Sequence, residues 1–163
     1  MGKNKTTLLN CFYQMVFDKI YIRGAIHHFN QDTIKDTLNG IYKKLKYGGR
    51  FCIEKPADKF DCLPYPGKVV ELMNKMELSR EEILELLKQS QFVLIESHRH
   101  QFAVEKDKKE LFESFRKRLC SGFSMFSDDQ IEKGIEEVNA KYPGQLVKFV
   151  DERDFIVGCK IEL

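Results

Sequence analysis

The sequence contains no tryptophan, only four prolines, and neither a C-x-x-C nor a G-x-G pattern. Without C-x-x-C pairs it does not resemble a zinc ribbon, and without G-x-G it has no typical phosphate or cofactor loop. No apolar run approaches the roughly 20 residues of a membrane-spanning helix. Lysine plus arginine total 27 and aspartate plus glutamate 25, so the net charge is +2. This excess is small for a protein that neutralises nucleic-acid phosphates, and we expect no nucleic-acid partner and no membrane span.

The chain does contain enough apolar material for one folded domain. Of its 163 residues 42% are hydrophobic, and 13 phenylalanines predict a phenylalanine-rich core. The five cysteines are odd in number and widely spaced, which argues against a disulfide framework. Cys52 and Cys159 fall within apolar strand-like runs, where cysteine usually serves as a small buried hydrophobe. No small-x-small cleavage site follows the N-terminal apolar stretch, so we expect a cytoplasmic protein.

Strand-like and helix-like segments alternate along the chain. Residues 17–23, 50–54 and 92–96 are predicted to be strands. The first two are short and apolar, as buried parallel strands should be. Between the first two, an apolar stripe at helical spacing runs from Ile34 to Leu45. Gly48 and Gly49 are expected to end that helix, because glycine adopts the left-handed conformation at little cost.

The second half of the chain predicts two further helices and a final strand. Ser127 followed by Gln130 forms a capping box, which is typical of a helix start. Residues 154–161 then form a last strand-like segment. Alternation of strands and helices with short connections predicts parallel pairing and right-handed crossovers. The last strand follows two helices and could join the sheet antiparallel.

Four segments in this order resemble a known family. FDKIYIRGAIHHF and LKYGGRFCIEKP resemble the fourth and fifth strands of a class I S-adenosylmethionine-dependent methyltransferase. REEILELLKQSQFVLIES resembles the helix and sixth strand, and FVDERDFIVGCKIE the seventh, which runs antiparallel between the fifth and sixth in that family. The resemblance covers residues 17–163 and leaves residues 1–16 as an N-terminal segment outside it. It implies an α/β fold with an incomplete Rossmann-like sheet, the fourth to seventh strands, and flanking helices.

The resemblance leaves out the family's main cofactor-binding elements. In the family, a Gly-rich turn after the first strand and an acidic residue after the second hold the cofactor, and neither precedes Phe17 here. We therefore expect a methyltransferase-like chain that is truncated before the Gly-rich cofactor loop. Such a chain should bind S-adenosylmethionine weakly or not at all and be inactive alone. The parent activity that the resemblance implies is methyl transfer to a small-molecule acceptor.

The missing elements would also leave a strand without a neighbour. The strand at residues 20–22 would lie at the sheet edge, where unpaired amides and carbonyls can pair with another chain. Leu8–Val16 could cover this edge; otherwise a homodimer or a protein partner is expected. A non-enzymatic interaction or regulatory role through this edge is therefore an alternative function. A third alternative, another α/β enzyme, is disfavoured because the sequence has no nucleophile elbow, phosphate loop or metal cluster.

The candidate site residues begin directly after the first predicted strand. Ligands of open α/β sheets bind at the carboxyl ends of strands, and the resemblance assigns Arg23, Gly24 and Ala25 to the cofactor site. A guanidinium would repel a sulfonium, so Arg23 would bind a carboxylate of the cofactor or substrate, unless it is a surface residue. His28 is the candidate catalytic residue, as a general base, and His27 a candidate substrate contact. Both histidines could instead make only structural hydrogen bonds.

Two more residues are candidates for the acceptor site. Glu54 ends the second predicted strand at the same sheet edge and could reach a substrate or pair with Lys55. Phe123 lies in a Gly-containing aromatic loop that could shape the acceptor pocket or anchor the core. His98 and His100 would place two imidazoles on one face of a strand, but no third ligand is evident nearby, so we predict no metal site.

Overall fold

The computed structural model describes residues 16–162, which fall into two compact units. Of the described residues, the first unit comprises 16–55, Glu81–His98 and 155–162, and the second comprises Pro56–Arg80 and Arg99–Asp154. The predicted cover of a strand edge by Leu8–Val16 lies outside the described residues except for Val16, which is 50% exposed. The predicted division into residues 1–16 and 17–163 stays a prediction.

The strands form one four-stranded sheet in the order β1-β2-β4-β3. They are β1 (Phe17–Arg23), β2 (Leu45–Pro56), β3 (Val93–Asp107) and β4 (Leu146–Cys159). β1 and β2 are parallel, with Ile20 beside Phe51 and Arg23 beside Glu54. In this sheet β1 and β3 are the outer strands.

The last strand, β4, runs antiparallel to β2 beside it. The Lys160 N–H donates to the Gly49 carbonyl, and the Ala57 N–H donates to the Glu152 carbonyl. Residue numbers therefore rise on one strand as they fall on the other, which is the antiparallel pattern. This direction and the strand order confirm the predicted incomplete methyltransferase-type sheet.

Five α-helices connect these strands within residues 16–162. They are α1 (Ile34–Lys44), α2 (Gly67–Met76), α3 (Arg80–Gln89), α4 (Lys108–Arg116) and α5 (Asp128–Lys141), with 3-10 helices at Ile26–His28 and Ser121–Phe123. The predicted capping box at the start of α5 is confirmed, because Ser127 and Gln130 exchange both side chain–backbone hydrogen bonds. Of the helices just named, none is long and apolar enough to cross a membrane.

The glycine pair in the first unit has a different role from the one predicted. α1 ends at Lys44, and Leu45 is already extended, with φ −87° and ψ 143°. Gly48 lies within β2 at φ +77°, its N–H donates to the Lys160 carbonyl, and Gly49 accepts from the Lys160 N–H. Two residues of β2 thus face one residue, Lys160, which directly follows β4. This two-to-one pairing is typical of a β-bulge whose first position takes a left-handed glycine. The left-handed glycine was predicted, and its assignment to a helix end was wrong.

The first unit buries an apolar core on one face of β2. Phe92 packs there, with its ring centroid 5.6 Å from Phe51 and 5.1 Å from Tyr42. The fully or almost fully buried side chains include Ile26, Leu38, Leu45, Phe51, Ile53, Ile83, Leu87 and Ile156. This core fixes the carboxyl ends of β1 and β2, at or just after which the candidate site residues other than Phe123 lie.

The second unit has its own core, built by α2, α4, α5 and the start of β4. Phe115 and Phe123 are stacked with centroids 4.6 Å apart, and Tyr65 meets both rings edge-on. The buried members of this core are Val69, Leu111, Phe115, Phe123, Ile131, Ile135, Val138 and Val147. Phe115 and Phe123 are the phenylalanines among these buried side chains, and the partly buried Phe112, Phe126 and Phe149 pack against them.

Candidate functional site

The candidate site is built on the parallel register of β1 and β2. Because Arg23 and Glu54 are register partners, their side chains lie next to each other at the carboxyl ends of the two strands. Arg23 Nε lies 3.2 Å from Glu54 Oε1, and 73% of the Arg23 side chain is exposed against 9% for Glu54. The structure thus brings together two predicted residues from different segments. Glu54 therefore pairs with Arg23. Its predicted alternative pairing with Lys55 stays a prediction.

Tyr21 is a third member of this cluster that the sequence analysis did not single out. Its hydroxyl donates a hydrogen bond to Glu54 Oε2. This hydrogen bond to a carboxylate raises the pKa of the Tyr21 hydroxyl above its usual value of 10. The available signal was the strand period, because Tyr21 and Arg23 are two residues apart and therefore share a face of β1.

Gly24 shapes the backbone immediately after β1. Its N–H donates to the Glu54 carbonyl at 2.8 Å, and its φ of +54° lies in the left-handed region. A Cβ built at Gly24 would meet no atom within 4 Å, so glycine is needed for backbone conformation and not for lack of space. The open space beside Gly24 and the half-buried Ala25 allows a ligand to approach the backbone closely.

The two histidines follow at once, in the 3-10 helix Ile26–His28. Their ring centroids are 4.0 Å apart; His28 is exposed and His27 is half-buried. Burial, and then the neighbouring His28, hold the pKa of His27 below its usual value of 6.5. Of the two, the exposed His28 is the imidazole that a substrate could reach.

Phe123 is the one predicted site residue that belongs to the second unit. It is 1% exposed and stacks on Phe115 within the core described above. These contacts agree with the core-anchoring alternative, and its role toward a substrate stays a prediction.

The histidines on β3 have aromatic and acidic neighbours. The His98 ring stacks on Phe155 at 5.3 Å, and its Nδ1 lies 3.0 Å from Glu96 Oε1. His100 packs its ring against Phe102 at 4.5 Å. Across residues 16–162, no group of three or more His, Cys, Asp or Glu side chains is placed to hold a metal ion.

Comparisons with known proteins find similarity in structure. No protein-family model matches the sequence, and no curated protein matches it. A proposed methyltransferase from Bacillus halodurans superimposes with a TM-score of 0.52 at 16% identity, over 90% of this chain and 65% of that chain. The YcgJ protein of Bacillus subtilis gives 0.53 at 18% identity, over 91% and 65%. A proposed methyltransferase of an antibiotic biosynthesis pathway from Anabaena variabilis gives 0.58 at 13% identity, over 88% and 68%.

These matches show the fold of the chain. It is part of a class I methyltransferase fold, as the ordered segments in the sequence predicted. The chain spans about two thirds of the length of these structures, while nine tenths of its own length is matched.

Proposed function

We propose that residues 17–163 form the C-terminal part of an S-adenosylmethionine-dependent methyltransferase domain that methylates a small molecule. The observation that carries this proposal is the Arg23–Glu54 pair beside the left-handed Gly24. This cluster lies at the carboxyl ends of the parallel strands β1 and β2, where open α/β sheets bind their ligands.

The residues of this cluster fit one side of the cofactor. S-adenosylmethionine supplies an electrophilic methyl group on a sulfonium and also carries a carboxylate. The exposed guanidinium of Arg23 suits that carboxylate, and Glu54 balances its positive charge. The open space at Gly24, next to Ala25, admits close approach of the ligand to the backbone. His28 would accept a proton from the methyl acceptor, with His27 and Glu54 as further contacts.

On its own the chain should hold the cofactor weakly. The sequence has no G-x-G pattern that would form a Gly-rich cofactor turn. Methyl transfer from a sulfonium is an in-line displacement whose rate depends on alignment of donor and acceptor, worth about 7–11 kcal/mol of the barrier. A partial site that leaves the donor free to rotate loses much of that advantage. We therefore expect no measurable methyl transfer by the chain alone.

An NMR titration of the full chain with S-adenosylhomocysteine tests this proposal. We expect amide shifts confined to residues 23–28 and to Glu54, with a dissociation constant in the millimolar range. Arg23→Ala should weaken binding, because the carboxylate loses its guanidinium. Arg50→Ala is the matched control, since Arg50 is an exposed arginine on β2 outside the cluster. Unshifted amides at these positions would contradict the site. Micromolar, stoichiometric binding of S-adenosylhomocysteine would contradict the expected weak affinity of the isolated chain for the cofactor.

A second candidate function is favoured by the exposed outer strand β1. At the end of the described sheet, Tyr21 is 57% and Phe17 40% exposed. Such an edge can pair with a second copy or with another protein, in a non-enzymatic or regulatory role. Light scattering should then show concentration-dependent association that Phe17→Lys reduces. A monomer at every concentration would count against this function and leave the first one unaffected.

A further inference from the structure

The second unit contains a cavity between α2, the 3-10 helix Ser121–Phe123 and α5. Its volume is about 130 Å³. Its walls are mainly apolar and include Val69, Phe123, Phe126 and Ile131. A cavity of about 150 Å³ lined by apolar side chains is large enough for benzene. The space therefore suits a small aromatic or branched aliphatic group.

The walls of this cavity are held in place by tight packing. A Cβ at Gly134 of α5 would lie 2.6 Å from the Pro66 Cγ, which is too close for two carbon atoms. Only glycine therefore allows α5 to pack this closely against Pro66. On another side, Phe123 is fixed by its stack on Phe115. The cavity is therefore formed before a ligand arrives, which lowers the entropy cost of binding.

The charged side chains that line the cavity are two lysines and one glutamate, so the net charge of its lining is positive. Glu137 Oε1 already accepts the Gly67 N–H at 3.0 Å, and Gln130 Oε1 accepts the Ser127 N–H at 2.9 Å. Lys68 and Lys133 also line the cavity, and neither has an ion-pair or hydrogen-bond partner among residues 16–162. Two unpaired ammonium groups beside an apolar cavity favour a ligand with an apolar body and a negative end.

We propose that this cavity binds a small apolar carboxylate, with the apolar group among Val69, Phe123 and Ile131. The carboxylate lies at the mouth, where Lys68 and Lys133 neutralise it. The site belongs wholly to the second unit and does not depend on the methyltransferase proposal.

A titration of the full chain with benzoate, followed by methyl NMR, tests this site. We expect saturable shifts of the Val69 and Ile131 methyl groups in the high micromolar to millimolar range. Benzamide has the same shape without the charge and should bind about fivefold more weakly, since each exposed lysine contributes only a modest attraction. The double variant Lys68→Gln/Lys133→Gln should lose a similar factor. Lys75→Gln is the control, because Lys75 is an exposed lysine of α2 that does not line the cavity.

Three outcomes would overturn the proposal. If benzoate leaves both methyl groups unshifted, the cavity is not its binding site. Equal affinity for benzoate and benzamide would show that the negative charge of the ligand does not contribute to binding. The double variant could also bind benzoate as tightly as the unmodified chain while its thermal unfolding is unchanged. That result would show that Lys68 and Lys133 do not bind the carboxylate.

Discussion

The ion pair between Arg99 on β3 and Asp154 on β4 allows a quantitative prediction for the second unit. Arg99 Nε and Nη2 donate to the two carboxylate oxygens of Asp154 at 2.8 and 2.9 Å. Nη2 also lies 3.2 Å from Asp58 Oδ2. Asp154 is fully buried, whereas 37% of the Arg99 side chain is exposed. Arg99→Met removes the guanidinium and leaves a buried carboxylate without its bidentate partner.

The expected loss of folding stability in Arg99→Met follows from the burial of Asp154. Removing one partner of a buried ion pair costs about 3–5 kcal/mol, because the other charge stays desolvated. Partial exposure of Arg99 places the loss at the lower end, about 3 kcal/mol. For a chain of this length each kcal/mol lowers the melting temperature by about 2–4 °C, so we expect a drop of about 6–12 °C. Urea and thermal unfolding followed by circular dichroism measure both quantities.

A matched control separates the effect of burial on stability from the effect of hydrogen-bond geometry. Arg116 makes the same bidentate pair with Glu132, at 2.7 and 2.8 Å, but both side chains are about half exposed. Arg116→Met should cost only about 0.5 kcal/mol. The double variant Arg99→Met/Asp154→Leu should recover most of the loss, because an apolar pair needs no charge compensation. Equal losses for the two arginine variants would refute the reasoning from burial.

Two further predictions concern pH and capping. His27 has a lowered pKa in the folded chain, so its contribution to stability is complete above pH 6.5 and is lost as the pH falls through that lowered pKa. His27→Asn should make the stability in urea depend less on pH below pH 6.5, and an NMR pKa for His27 at or above 6.5 would contradict this. Ser127→Ala removes the cap of α5 and should cost about 1 kcal/mol in urea unfolding. Ser127→Asn should restore most of that stability, and equal losses for both variants would show that the cap is not responsible.

Local sequence patterns predicted most of the helices and strands. The residues at which these elements begin and end depend on long-range strand pairing, which local patterns do not show. The capping box at Ser127 depends only on neighbouring residues, so the sequence predicted it directly. The helical stripe from Ile34 to Leu45 continued past the real helix end, because Leu45 is buried equally well in a strand. Strand pairing decided the matter, since Leu45 is the register partner of Phe17 on β1.

The length of β3 was missed for a related reason. The sequence predicted residues 92–96, but the strand runs over Val93–Asp107 and is mostly exposed. An exposed strand has no apolar alternation to detect, and β3 is held by partners on β4 such as Asp154. His98 and His100 therefore lie inside β3, beyond residue 96, where the predicted strand ended.

In the candidate site, the ion pair with Glu54 changes the electrostatic effect of Arg23 on a nearby ligand. Alone, the Arg23 guanidinium would repel a sulfonium by about 4 kcal/mol at a separation of 4 Å and an effective dielectric constant of about 20. Glu54, 3.2 Å away and mostly buried, offsets this repulsion with a charge of opposite sign. The partners are 31 positions apart in sequence and meet only through the parallel register of β1 and β2. The electrostatic objection to a cationic donor beside β1 therefore applies to the isolated arginine and not to the pair.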